Sequence, residues 1–239
     1  EIYTLSLHDA LPISHEFAGT VQTDHFDMSG LVPDIALGNV SADLRLSGSW
    51  PLQSDMSLTA QGHIQLLEYD GHRYENVDLD GTYRQRSFTG QLSMDAPDGQ
   101  VHFDGQVNMS QRPYIAKVEM QARHFAPSAL GLTDRLADKS FDFDAVADLS
   151  GNQLSDASGT LDIRHFVMHR ADGGADLSFD HFAVEVQHQG DADFMHLNSD
   201  FADIDAEGRF DLLTLHESIA NIIGDQLPAS PLKKPSAGH

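Results

Sequence analysis

The stretch MSLTAQGHIQL, residues 56 to 66, decides the fold because its apolar and polar residues alternate with a period of two. Met56, Leu58 and Ala60 fall on one side of an extended chain, and Ile64 and Leu66 continue that side. The intervening side chains are polar: Ser57, Thr59, Gln61, His63 and Gln65. This pattern is typical of a β-strand with one buried face and one solvated face.

The same alternation extends over most of the chain. Turn chemistry separates the alternating segments, as at Asp70-Gly71 and Gly173-Gly174, which are residue pairs that favour tight hairpins. Other apolar sets with period two are Val40, Ala42, Leu44 and Leu46; Val77, Leu79 and Tyr83; Val101, Phe103, Val107 and Met109; Phe141, Phe143, Ala145, Ala147 and Leu149; and Phe179, Val184 and Val186. The sequence therefore predicts an all-β protein built as an antiparallel meander.

An internal repeat of about one hundred residues organises these strands. His25-Phe26 recurs as His124-Phe125, and Leu46-Ser47-Gly48 recurs as Leu149-Ser150-Gly151. We therefore divide the chain into a first β-repeat unit over residues 15–113 and a second over residues 114–216. Units of this kind bury their apolar faces by stacking on their neighbours.

Two short segments are predicted to be helical. Residues 126–140 place leucines near helical spacing, although Gly131 weakens the pattern. Residues 214–227 form an amphipathic helix that begins with the capping box Thr214 and Glu217 and ends before Pro228. Residues 228–239 are rich in proline, serine, lysine and glycine, and we interpret them as a linker.

The first fourteen residues, EIYTLSLHDALPIS, show no sustained periodicity. Read back into codons, they look like a common short-read sequencing adapter translated in one open frame. We therefore treat residues 1–14 as a non-native, adapter-derived segment and exclude them from fold reasoning. The native protein is then expected to begin upstream of residue 15.

Composition excludes several classes of function. The formal charge of −23, to which Glu1 and Asp9 contribute two charges, argues against a nucleic-acid partner because acidic groups repel phosphates. The absence of cysteine excludes disulfides, thiolate zinc sites and iron–sulfur clusters. The sequence has no run of about 18 apolar residues, so this stretch contains no transmembrane helix.

Motif spacing favours no catalytic or metal chemistry. The 14 histidines lie mostly at polar strand positions or in turns, and we interpret them as structural. Asp200, Asp203, Asp205 and Glu207 crowd together like calcium ligands, but their order is not that of an EF-hand loop, so a solvated strand edge is favoured. We predict a non-enzymatic protein without a cofactor or a metal site.

Four segments are distinctive in their order and spacing: LEYDGHRYENVDLDGTYRQRSFTGQLSMD (67–95), FDGQVNMS (103–110), HFAPSALGL (124–132) and GRFDLLTLHESIANIIGDQLP (208–228). In these segments the chain resembles the TamB proteins of the translocation and assembly module, an AsmA-related family, in their Bacteroidetes-type form. The likeness covers nearly all of residues 15–239. The resemblance implies an elongated, curved antiparallel β-sheet that forms an apolar groove.

The same resemblance implies a cellular role. Such a protein would lie in the periplasm, anchored to the inner membrane through an N-terminal segment not included here. It would bridge to the outer membrane and meet a TamA-like or BamA-like barrel there, through a region absent from this stretch. It would support the assembly of outer-membrane proteins and autotransporters, and would carry phospholipid acyl chains along its groove.

We predict that one apolar face lines the groove. The residues assigned to it are Leu66, Leu79, Phe103, Val107, Phe143, Leu161, Phe179 and Val184. Two alternatives remain open: a chaperone that offers a sheet edge to incoming strands, and a closed structural or adhesin-like β-repeat of the cell envelope. Periodicity alone does not distinguish an open groove from a filled core.

Overall fold

A computed structural model describes residues 4–7, 16–30, 36–49, 57–137, 139–153, 156–189 and 192–208. They form one open, curved sheet of 13 strands, in which each strand pairs antiparallel with the next in sequence. The strands are β1 (Thr4–Leu7), β2 (Glu16–Asp27), β3 (Leu37–Ser49), β4 (Ser57–Tyr69), β5 (His72–Arg84), β6 (Ser87–Ala96), β7 (Gly99–Asn108), β8 (Tyr114–Phe125), β9 (Lys139–Gly151), β10 (Ser158–Arg170), β11 (Leu177–Gln189), β12 (Ala192–Ser199) and β13 (Asp203–Gly208). The predicted all-β antiparallel architecture is confirmed.

Tight turns explain why consecutive strands are neighbours. Asp70 and Gly71 both have positive φ between β4 and β5, and Gln85 and Arg86 both have positive φ between β5 and β6. Two central residues with positive φ define the hairpin turn whose twist matches that of the flanking strands. These turns place each strand directly beside the preceding one, and the result is an antiparallel meander.

Bulges interrupt the ladders at the repeated His-Phe pairs. His25 and His124 have φ of 50° and 51°, and the register shifts there against β3 and β9. Each bulge frees a backbone N–H, which the neighbouring strand satisfies: His25 donates to Ser41 Oγ at 2.8 Å and His124 donates to Asp142 Oδ1 at 2.6 Å. The repeat found in the sequence is thus a repeated bend in the sheet.

The helix predicted over residues 126–140 is wrong. Residues 126–132 form turns closed by the bonds Leu130 N–H to Ala126 O and Leu132 N–H to Pro127 O. A single 3₁₀ turn at Asp134–Leu136 follows, and β9 already begins at Lys139. Gly131, at φ of 68°, ends the turn, and Leu130 is buried against the sheet instead of lying on a helical stripe. The helix predicted over 214–227 and the linker over 228–239 lie outside the described residues.

The two predicted units contain equal numbers of strands. Unit 15–113 holds the six strands β2–β7, and unit 114–216 holds the six strands β8–β13 as far as the described residues extend. The boundary lies in the turn between β7 and β8, which pair with each other over nine residues from Gln100↔Arg123 to Asn108↔Ile115. The hydrogen-bonded sheet therefore continues without a break from one unit into the next.

The segment assigned to a sequencing adapter contributes β1, which the sequence did not predict. Its four residues pair with β2, from Thr4↔Gln22 to Leu7↔Gly19. An edge strand presents unpaired N–H and C=O groups to any extended segment that reaches it, whatever the origin of that segment. Backbone pairing at this edge is therefore compatible with a non-native origin.

Removing residues 1–14 should lower the melting temperature of the remaining chain by less than about 2 °C. The segment adds only four residue pairs at one edge, and every ladder from β2 to β13 is retained without it. Calorimetry on the full and shortened chains measures the difference. A decrease of several degrees would make the segment an integral part of the sheet and contradict the adapter assignment.

Candidate functional site: the apolar face of the sheet

One face of the sheet is apolar across its central strands, because the register aligns the apolar positions of successive strands. One row pairs Leu79 with Leu92, Leu92 with Phe103, and Phe103 with Met120. The row continues through Ala145, Ile163 and Phe182. Directly paired residues in an antiparallel ladder point to the same side, so this row crosses seven consecutive strands on one face.

Parallel rows flank it. On one side, Val77 pairs with Met94, Met94 with Val101, and Val101 with Ala122, which pairs with Phe143. On the other side, Phe88 pairs with Val107, and Leu161 pairs with Val184 in the second unit. The face is therefore a continuous apolar surface several side chains wide.

A row of glycines lies within this surface. Gly81 pairs with Gly90, and Gly90 pairs with Gly105, so three neighbouring strands have no side chain at the same level. A Cβ at Gly90 would lie 2.3 Å from the Asp80 carbonyl oxygen, and Gly90 has φ of 154°. Glycine is therefore required there. The Phe88 ring lies over Gly81, where an added Cβ would come within 2.8 Å of it, and the Phe88 and Phe103 ring centroids are 6.0 Å apart.

The face is half-covered in its centre and closed at its C-terminal end. Leu79, Leu92 and Phe103 are partly exposed, since nothing in the described chain is stacked on them as a second layer. In contrast, Val184 and Leu197 are only 6% and 2% exposed. They belong to a packed cluster with Phe182, Val186 and Met195, against which Phe179 and Phe201 pack. The same face is thus open over one part and filled over another.

A series of phenylalanine rings extends from β8 to the packed cluster at the C-terminal end of the face. Phe125 meets Phe143 edge-on at 6.5 Å, and Phe166 stacks on Phe179 at 4.6 Å between centroids. Phe179 in turn contacts Phe201 at 6.1 Å. Because such pairs stabilise beyond simple area burial, the aromatic series holds the curved second unit together.

The connector between β8 and β9 covers one margin of the apolar face. Leu130 is 3% exposed and packs with Val77 and Met94. Tyr74 donates its hydroxyl hydrogen to the Leu130 carbonyl oxygen at 2.9 Å, and His72 Nδ1 lies 3.0 Å from the Ala129 carbonyl oxygen. A turn, and not the predicted helix, therefore packs against this margin of the face.

Of the eight residues predicted to line the groove, seven lie on this face and the eighth, Leu66, lies on the other. Leu79, Phe103, Val107, Phe143, Leu161, Phe179 and Val184 occupy the rows and clusters described above. Leu66 pairs with Ser41 while Ile64 pairs with Ala42, so Gln65 is an extra residue that turns Leu66 to the polar face. There Leu66 lies in a depression with Thr23, Arg73 and Glu75. Strict alternation could not anticipate this bulge.

The opposite face is a polar ladder. Gln61 donates to Asp80 at 2.9 Å and Gln91 donates to Asp104 at 2.8 Å, each across one strand pair. Histidines face aspartates in the same way, with Nδ1 to Oδ1 distances of 2.8 Å for both His63–Asp78 and His196–Asp205. A slip of one residue would break these bonds and expose the apolar rows, so the ladder helps to fix the register.

The four acidic residues considered as calcium ligands divide into two locations. Asp200 Oδ2 accepts hydrogen bonds from the backbone N–H groups of Asp180 at 2.5 Å and His181 at 3.2 Å. Asp203, Asp205 and Glu207 are exposed on successive polar positions of β13. The exposed positions of Asp203, Asp205 and Glu207 match the predicted solvated strand. Asp200 instead accepts hydrogen bonds from the backbone of β11.

No known protein family, curated protein or solved structure matches this chain at a significant level. In the part of the chain that the structure describes, no helix is long and apolar enough to cross a bilayer.

His188 should titrate above the ordinary histidine pKa of about 6.5. A hydrogen bond to Asp193, at 2.5 Å, and a second to the Asp156 carbonyl oxygen, at 2.7 Å, raise the pKa of His188. The protonated form is therefore favoured in the folded chain. The resulting stabilisation of the folded chain is fully present below the pKa that His188 has in the unfolded chain. It is lost as the pH rises through the higher pKa that His188 has in the folded chain.

Nuclear magnetic resonance titration of the His188 ring measures this shift, and Asp193→Asn should move the midpoint down. A midpoint at or below 6.5 in the unmodified protein, or one that Asp193→Asn leaves in place, would contradict the assigned contact.

Proposed function

We propose that this chain is a segment of a TamB-like envelope protein whose apolar sheet face accommodates phospholipid acyl chains. The observation that carries the proposal is the continuous apolar face, which has no second layer over its central strands within the described residues. Soluble proteins rarely expose contiguous apolar patches larger than a few hundred Å² unless the patch binds something. Acyl chains are a fitting partner because the face presents hydrocarbon and aromatic groups.

The dimensions suit a conduit. The twelve strands β2–β13, spaced about 4.8 Å apart, give the face a contour length of roughly 53 Å across the strands. That is nearly twice the ~30 Å hydrocarbon thickness of a bilayer. Each methylene removed from water contributes about 0.8 kcal/mol, so an acyl chain gains from contact with the partly exposed central part of the face and requires no headgroup site.

The cellular part of the proposal rests on the family resemblance. It comprises a periplasmic location, anchoring to the inner membrane, a TamA-like or BamA-like barrel as partner, and support of outer-membrane protein and autotransporter assembly. The open single-layer sheet is compatible with each of these roles. The function proposed is transport and assembly without enzymatic chemistry.

One observation favours a second candidate, the closed structural β-repeat. The cluster of Phe182, Val184, Val186, Met195 and Leu197 is filled by its own side chains, none more than 8% exposed. If the first unit closed in the same way, the chain would be a scaffold with a dry core. The two functions therefore differ in whether the central rows are accessible.

Photo-crosslinking side chains at Leu79 and Phe103 should capture phospholipid in cells that express the protein. The matched control positions are Asp78 and His102, which are adjacent in sequence but belong to the polar face. Lipid adducts at Leu79 and Phe103 alone, identified by mass spectrometry, are the expected result. Equal capture at the two control positions, or no capture anywhere, would contradict the conduit and favour the closed repeat.

A further inference from the structure

The polar face carries a group of three potential ligands that the apolar face does not use. His124 on β8, Asp142 on β9 and His169 on β10 each offer one ligand atom, and these atoms all lie within 4.8 Å of one another. His169 Nε2 is 3.2 Å from Asp142 Oδ2, and His124 Nδ1 is 3.8 Å from Asp142 Oδ1. The sequence intervals of 18 and 27 residues explain why no motif revealed the group.

The bulge of β8 builds this arrangement. His124 has φ of 51°, and its backbone N–H donates to Asp142 Oδ1 at 2.6 Å. The His124 ring stacks on the His169 ring at 5.4 Å between centroids, with an angle of 6° between their planes. Asp142, with its side chain 21% exposed, thus contacts both imidazoles, close to the bulges of β8 and β10.

A fourth residue orients one imidazole. His169 Nδ1 lies 3.0 Å from Asp176 Oδ2, on the opposite side of the ring from Nε2. With an ion bound, a hydrogen bond from Nδ1–H to this carboxylate would leave the Nε2 lone pair for the ion, in place of the proton that the 3.2 Å hydrogen bond to Asp142 Oδ2 otherwise requires. Histidines that bind metals almost always donate their second ring N–H to such a partner, which fixes the tautomer and increases ligand basicity.

We propose that His124 Nδ1, Asp142 and His169 Nε2 bind a divalent transition metal of the zinc class, with Asp176 as the supporting carboxylate. Tetrahedral donors about 2.0–2.1 Å from zinc lie roughly 3.3 Å from one another, and the observed separations from Asp142 are 3.2 and 3.8 Å. Two imidazoles with one carboxylate suit zinc, nickel or copper better than calcium or magnesium, which prefer oxygen ligands.

The expected role is structural, since the ion would join β8, β9 and β10 near the bulges of β8 and β10. The His124 side chain is 76% exposed, so the ion is reachable from solvent and the fourth coordination position faces water. This site lies on the face opposite to the apolar rows and does not depend on the proposed lipid function. It opposes the sequence-based expectation that the protein has no metal site.

Titration calorimetry of the full chain with zinc chloride should show one saturable site, and cobalt(II) should give the visible absorption of a low-symmetry site. His124→Asn, Asp142→Asn and His169→Gln should each weaken binding at least about tenfold. Asn suits position 124 because it tolerates the left-handed backbone that this bulge requires. Asp176→Asn should weaken binding by about tenfold while all three ligands are kept.

His63→Gln is the matched control, because His63 faces Asp78 across a strand pair at 2.8 Å and, among the described residues, the pair belongs to no group of three ligands. It should leave zinc affinity unchanged, and far-ultraviolet circular dichroism should show that every variant retains the sheet. The proposal is overturned if zinc does not saturate near one equivalent, if His63→Gln weakens binding as much as His169→Gln, or if folded Asp142→Asn binds zinc like the unmodified chain.

Discussion

The structure depends on one constraint: every strand pairs with its sequence neighbours, in a single layer of 13 strands. This pairing satisfies the backbone hydrogen bonds locally and needs no packing partner above or below the sheet. It also aligns period-two sequences into rows, so apolar side chains collect on one face and polar side chains on the other. A sheet made in this way has only three means of covering its apolar face: its own curvature, its connectors and a bound molecule.

Different parts of the chain use these means to different extents. In the second unit the sheet curves enough for Phe182, Val184 and Leu197 to form a packed cluster with their neighbours. Near β5 and β6 the connector residue Leu130 covers Val77 and Met94. Leu92 borders that cluster, whereas Leu79 and Phe103 belong to neither packed cluster and remain partly exposed. This central region is the part of the face where hydrocarbon from another molecule fits best.

The sequence predicted the features of the fold that depend only on the alternation of apolar and polar residues along the chain. The all-β class and the antiparallel order follow from period two and hairpin chemistry, whereas the edge strand β1 was not predicted. The structure departs from the prediction where a single residue interrupts the alternation. The extra residue Gln65 turns the Leu66 side chain to the opposite face of the sheet. Pro127 and Gly131 lie in the segment that docks on β5 through Leu130 and through the Ala129 and Leu130 carbonyl oxygens, and this segment forms turns in place of a helix.

Contacts between residues far apart in the chain could also not be predicted from the sequence. His124, Asp142 and His169 meet only because two bulges and two strand registers bring them together, and no spacing rule encodes such a meeting. Likewise, the packing of Val184 depends on how strongly the sheet curves, which alternation does not specify. The repeated His-Phe pair was visible as a repeat, but its role as a bulge required the backbone.

Accessibility of the central rows to hydrocarbon tests the central claim most directly. The chain has no cysteine, so a single Leu92→Cys substitution carries one polarity-sensitive fluorophore on the apolar face, and Gln91→Cys carries it on the polar face. Titration with phospholipid below its aggregation threshold should shift the emission at position 92 to the blue and saturate, with no change at position 91. Emission at position 92 that stays constant as lipid is added, or that shifts equally at position 91, would contradict an apolar face open to acyl chains.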